Sequence, residues 1–198
     1  MTPFARLAAL GIATLLPSLV WAHVGTDAHG HHSLNAGFTA GFTHPFTGLD
    51  HLVAMLAVGV WSALATPRAG WRSRVMVPLS FASLLLIGAL LAPSSLSLPA
   101  VEPMIATSLL VLGLLVATRQ ALPTVVGMVL VGGFALFHGA AHGSELAGGS
   151  ALAGMVLATG LLHGAGLLIG GLLRERSVWL ARAAGLASAA FGAALLLA

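Results

Sequence analysis

Long apolar runs separated by short polar breaks make up most of this chain. The first run, Leu7 to Leu19, is short, follows Arg6 and meets Pro17 near its end. Val20-Trp21-Ala22 then supplies a small-x-small stretch. A charged start, an apolar middle and such a site form the pattern of a secretory leader. The pattern predicts a signal peptide over 1–22, cleaved after Ala22 to leave His23 as the mature N-terminus. Six longer runs follow, at 48–66, 75–93, 101–118, 122–142, 149–172 and 177–197. Each is near the roughly 20 mostly apolar residues that a membrane-spanning helix needs. Ser33 to Thr43 is too short to span and runs into His44-Pro45, where proline disfavours helix at the residue before it. This stretch predicts a half-helix at the exported face, or an early part of the first span broken at Pro45; Pro45 and Gly48 together break the entry to the span. The expected fold is all-α: a polytopic membrane bundle over 34–198, with six transmembrane helices after the short half-helix.

Composition fixes the solvent. The chain is 58% hydrophobic and 7% charged, where a soluble domain carries about a quarter charged residues. Its mean hydropathy is +1.02. The lipid bilayer is therefore the expected medium. With no cysteine there is no disulfide, thiolate metal site or thiol nucleophile. The net charge of +3 comes from arginine alone, since lysine is absent. A basic balance raises the question of nucleic acid, but these arginines form no patch interleaved with aromatics, and no nucleic-acid partner is expected. Topology accounts for them instead. If the leader exports the N-terminus, the 66–75 loop lies inside with Arg68, Arg72 and Arg74, and later inside segments carry Arg119, Arg174, Arg176 and Arg182. The exported loops at 93–100 and 143–149 hold no arginine. This is the positive-inside pattern. It predicts a bacterial cytoplasmic-membrane protein with both mature termini on the periplasmic side.

Few ionisable groups remain, and their depth is informative. Glu175 lies between two arginines and reads as a solvated charge. His44, Asp50 and His51 open the first span, Glu102 opens the third, and His138, His142 and Glu145 close the fourth. These seven collect at the exported end. His163 alone lies deeper, about fourteen residues into the fifth span, or roughly 21 Å along a helix. Ionisable groups in or beside spans are costly and default to functional candidates. His138 and His142 are four apart and share a helix face, which Glu145 extends if the helix continues. Asp50 is a ligand candidate, or the acceptor for the second ring N–H of a ligand histidine. Glu102 reads equally as a charge favoured by a helix N-terminus, and His163 as a helix–helix hydrogen-bond partner. The tail His23 to Ser33 carries four histidines and Asp27. It is either a disordered exported tail or a weak metal collector, with His23 offering amine and imidazole together after cleavage.

Imidazole and carboxylate without sulfur suit borderline divalent ions: nickel, cobalt, zinc or manganese. The methionines are spread singly and read as packing. Paired glycines at Gly37/Gly41, Gly139/Gly143, Gly160/Gly164 and Gly166/Gly170 are each four apart and permit close helix contacts, within one chain or in a homo-oligomer.

The stretch His44 to His51, HPFTGLDH, has the form H-x5-D-H, and Phe137 to Glu145, FHGAAHGSE, has the form F-H-G-x-A-H-G-x-E. The pair resembles the HupE/UreJ family of nickel permeases, and the resemblance covers essentially the whole chain. It implies a cleaved leader, six spans, and transport of nickel, in some members cobalt, for hydrogenase or urease maturation. It carries a metal role over to His44, Asp50, His51, His138, His142 and Glu145, and less distinctively to Glu102. On this reading the chain is no enzyme and holds no permanent cofactor. Its ion is nickel, with cobalt the alternative, and cytoplasmic metallochaperones are candidate partners. No P-loop pattern is present, so the chain itself burns no ATP. Two rivals use the same residues. A metal-dependent membrane hydrolase or oxidase is one, but Gly139, Ala140 and Ala141 fill the turn where an H-E-x-x-H site carries its base. A haem-binding electron carrier is the other.

Overall fold

The computed structural model describes residues 34–65, 70–92, 98–146 and 148–198. The leader, the His-rich tail with His23, Arg68 and the side chains of Glu175 and Arg176 lie outside the described residues. The described chain is all-helical, with seven helices: α1 Leu34–Thr47, α2 Leu49–Ala65, α3 Trp71–Leu91, α4 Val101–Thr118, α5 Thr124–Glu145, α6 Gly149–Arg176 and α7 Val178–Leu197. The five helices α3 to α7 are long and apolar enough to cross a membrane. The pair α1 and α2 makes a sixth if it is taken as one span, bent by 79°.

The bend falls at one of the two expected breaks and not at the other. Helix α1 does not stop ahead of Pro45; it runs through it to Thr47. Proline's fixed φ suits a helix, at the cost of its own N–H and of crowding its ring against the carbonyl four residues back, that of Gly41. The Thr47 hydroxyl donates to the His44 carbonyl at 2.8 Å, and the turn closes with the Gly48 N–H on the same carbonyl at 3.4 Å. Gly48 then carries the break, and α2 starts with the Leu52 N–H on the Gly48 carbonyl at 2.9 Å.

Helix α2 is the axis of the bundle. Of its 17 residues, 13 are buried, Asp50 and His51 among them. Met55, Val58, Trp61 and Leu64 pack against Phe81 and Leu85 of α3, Leu112 of α4, Val131 of α5 and Met155 of α6. The broadest contacts pair α3 with α5, α4 with α7, and α6 with both α2 and α1. Small residues make these pairs close. Gly139 and Gly143 of α5 lie on the backbone of Leu85 and Ala89, and Gly166 and Gly170 of α6 lie on Leu56 and Val60. Gly37 and Gly41 face Ser150 and Ala151. Gly160 and Gly164 meet nothing within 4 Å, so this pair packs no contact within the described chain.

The chain runs up and down, so the two ends of the bundle differ. At one end, the Trp61 ring N–H donates to the Gln120 carbonyl at 2.9 Å and the Ser62 hydroxyl to the Arg74 carbonyl at 2.7 Å. Arg72, Arg174 and Arg182 lie in helix ends of that same polarity, and Arg119 caps the C-terminus of α4 there. The outward faces are greasy: Leu79, Ile87, Leu168, Leu172 and Leu186 are exposed. An apolar exterior on this scale fits a lipid solvent rather than water. The chain is a multi-pass membrane protein.

Candidate metal centre

The end opposite the arginines collects the ionisable groups. The bend at Gly48 is what brings the first three together. It turns His44, in the last turn of α1, back over the start of α2, where Asp50 and His51 follow. Asp50 accepts twice at Oδ1: from the His51 backbone N–H and from the His51 ring at Nδ1, each at 2.9 Å. A carboxylate can only accept, so His51 carries its proton on Nδ1. Its Nε2 is then a bare lone pair, buried and without a hydrogen-bond partner among the described residues. Of the two roles open to Asp50, the geometry gives orientation of the His51 ring.

Helix α5 brings the second half. It does continue to Glu145, so His138, His142 and Glu145 form a ladder down one face. His138 and His142 are fully buried. The two halves interlock. The His44 ring is 4.8 Å from that of His142, and the His51 ring is 4.3 Å from His142 and 5.0 Å from His138. At the mouth, His44 Nε2 lies 3.0 Å from Glu145 Oε2. Donor atoms of His44, His142 and Glu145 all lie within 4.8 Å of one another. Two imidazoles and one carboxylate at such spacing can close on one divalent ion with modest side-chain movement.

Glu102 stands outside this group but near it. It is exposed and shares with Glu145 an open cavity of about 570 Å³, lined also by Leu98, Val101, Ala140 and Ser144. The two carboxylates make the vestibule acidic, which favours cations. His163 is on the far side of the cluster. The Phe81 ring separates them, 5.6 Å from the His138 ring and 5.1 Å from the His163 ring. His163 is buried and its Nε2 has no hydrogen-bond partner among the described residues. One turn earlier on α6, the Thr159 hydroxyl lies 3.5 Å from the Met55 sulfur.

Two residues at the centre gave no signal in sequence. Phe81 is an aromatic in an apolar run, which reads as packing. Ser108 lies within α4 and its Oγ is 2.9 Å from His138 Nε2; a lone serine in a span is common, and only the third dimension sets it against a histidine.

The family model described as HupE / UreJ protein matches residues 11–195, a range that holds both motifs and every residue of the cluster. The chain belongs to the HupE/UreJ family. A curated relative, Protein HupE of Rhizobium leguminosarum bv. viciae, is 43% identical over 133 residues, 67% of this chain and 64% of the relative. The chain thus matches less than two thirds of that relative's length. No solved structure matches the chain. For this HupE/UreJ member the spatial finding is that H-x5-D-H and F-H-G-x-A-H-G-x-E, about ninety residues apart in sequence, form one site.

Proposed function

We propose that the protein is a permease that takes up divalent nickel, with cobalt the alternative ion, from the periplasm into the cytoplasm. The metal would serve maturation of an enzyme such as hydrogenase or urease. The carrying observation is the convergence of His44, His142 and Glu145, with donor atoms within 4.8 Å of one another at the mouth of a membrane bundle. Membership of the HupE/UreJ family supports the same reading. In this reading the bundle sits in the bacterial inner membrane, arginine end inward and both termini outward.

The ion is the substrate, and the route follows the depth of the ligands. Glu102 and Glu145 raise the local concentration of cations in the vestibule. Binding to His44, His142 and Glu145 strips water and releases the proton shared between His44 and Glu145, because metal ligands must be deprotonated. His51 and His138 lie next along the path, within one ring contact of His142 or of each other. Phe81 then closes the way to His163, so inward passage needs its ring to move. A chain of partial sites, none of them a complete coordination shell, binds well enough to accept an ion and weakly enough to release it. The His-rich tail, with His23, would gather metal ahead of the vestibule, and metallochaperones would take it on the other side.

A membrane hydrolase is the second reading and fits less well. The turn between His138 and His142 carries no acid, and the nearest glutamate, Glu145, is engaged with His44. The test is elemental analysis of cells that express the chain in medium with nickel, cobalt and zinc at equal low concentration. Nickel, or cobalt, is expected to accumulate above the empty-vector level and to return to that level with His142→Ala. Accumulation of neither, at normal membrane expression, would refute the proposal.

A further inference from the structure

Ser108 lies on α4, has no exposure to solvent, and faces His138 across the bundle. Its hydroxyl makes two contacts: 2.6 Å to the Ile105 carbonyl and 2.9 Å to His138 Nε2. A serine has one proton to give, and a carbonyl has none. The Ile105 contact therefore takes the serine proton. The proton in the His138 contact must then come from the ring, so His138 is protonated on Nε2 and bare on Nδ1. That Nδ1 is buried and has no hydrogen-bond partner among the described residues. A bare nitrogen in such a place is unusual, since buried polar groups are nearly always paired.

His51 is the mirror case. Asp50 takes its Nδ1–H, which leaves Nε2 bare. The two rings sit 5.0 Å apart at 86°. One is held by a carboxylate and the other by a hydroxyl, through opposite nitrogens. We propose that Ser108 is a positioning residue, which locks His138 in the Nε2-protonated tautomer and so commits its Nδ1 lone pair to the ion. His51 Nε2 and His138 Nδ1 then form a two-nitrogen station below the His44, His142 and Glu145 site. The ion's part in this rests on the permease reading; the tautomer does not. Outer partners that fix a ligand histidine matter because they set both ring orientation and basicity.

The experiment separates the two. The full chain, labelled with ¹⁵N-histidine and purified into lipid nanodiscs, is read by nitrogen NMR, with the His138 signals identified by their loss in His138→Gln. The wild type is expected to show protonated Nε2 and bare Nδ1 at His138. Ser108→Ala should lose that preference, and Ser108→Thr, which keeps the hydroxyl, should retain it. In nickel uptake, Ser108→Ala should raise KM by about 10- to 100-fold at equal membrane expression, and Ser108→Thr should restore it. A wild-type proton on Nδ1, or a His138 tautomer unchanged in Ser108→Ala, would overturn the positioning role. A changed tautomer with unchanged KM would overturn the station. A changed tautomer in a chain that carries no metal at all would uphold the positioning role and refute the permease reading instead.

Discussion

At the scale of single residues, the candidate site holds two histidines, His51 and His138, whose ring protons are placed by their neighbours Asp50 and Ser108. Asp50 is the clearest case. It touches His51 and not the His44, His142 and Glu145 group, so its effect passes through the His51 ring. Asp50→Asn keeps the shape but offers the ring a neutral, weaker acceptor. We expect it to raise the KM for nickel uptake by about 10- to 100-fold while the protein still folds and reaches the membrane. Uptake kinetics in cells expressing equal amounts check this, and an unchanged KM would make Asp50 a mere cap of α2. Much of this scale was legible in sequence. The cost of placing ionisable groups in spans singled out His44, Asp50, His51, His138, His142 and Glu145, and the depth ordering of His163 followed from counting residues. Ser108 and Phe81 were not legible. A serine or an aromatic in an apolar run is cheap, so nothing in one dimension separates a tautomer lock or a barrier from ordinary packing.

At the scale of elements, glycines decide which helices touch. Gly185 of α7 lies on the backbone of Gly113 and Ala117 of α4, and any side chain there meets main-chain atoms that cannot yield. Gly160 of α6 faces open space. Gly185→Leu is therefore expected to destabilise the bundle by about 1–3 kcal/mol, the usual cost of overpacking. Gly160→Ala is expected to be neutral or to gain up to about 1 kcal/mol from helix propensity. Thermal unfolding in detergent, followed by size-exclusion chromatography, distinguishes them; equal behaviour of the two variants would contradict the packing described. The sequence marked glycine pairs without saying which were in use. It also marked two breaks at the entry, Pro45 and Gly48, of which only Gly48 is used. The penalty that proline imposes on its neighbour is a local term. Here it is outweighed by a helix turn that Thr47 closes and by the contact of His44 with Glu145.

At the scale of the molecule, the up-and-down path puts the arginine-bearing helix ends of the described residues at one pole and the candidate metal-binding groups at the other. Between the poles the histidines descend: His142 lies about 5 Å below Glu145 along α5, His138 about 10 Å, and His163 lies deeper still beyond Phe81. The helical class and the gathering of ionisable groups at one end followed from hydropathy and charge, because a bilayer leaves a chain few alternatives. The shared depth of the two motifs already made them two halves of one gate, but which rings meet did not follow, since that depends on the 79° bend between α1 and α2 and on the close packing of α5 in the bundle. The central claim is that the two motifs act as one gate. The direct test is nickel uptake by liposomes that contain the purified protein, with wild type, His44→Ala, His142→Ala and the double variant measured side by side. Residues that act as a unit are strongly non-additive. Each single variant is predicted to fall to the rate of protein-free liposomes, and the double variant to be no worse than either. Full uptake by either single variant, or losses that simply multiply, would contradict the account.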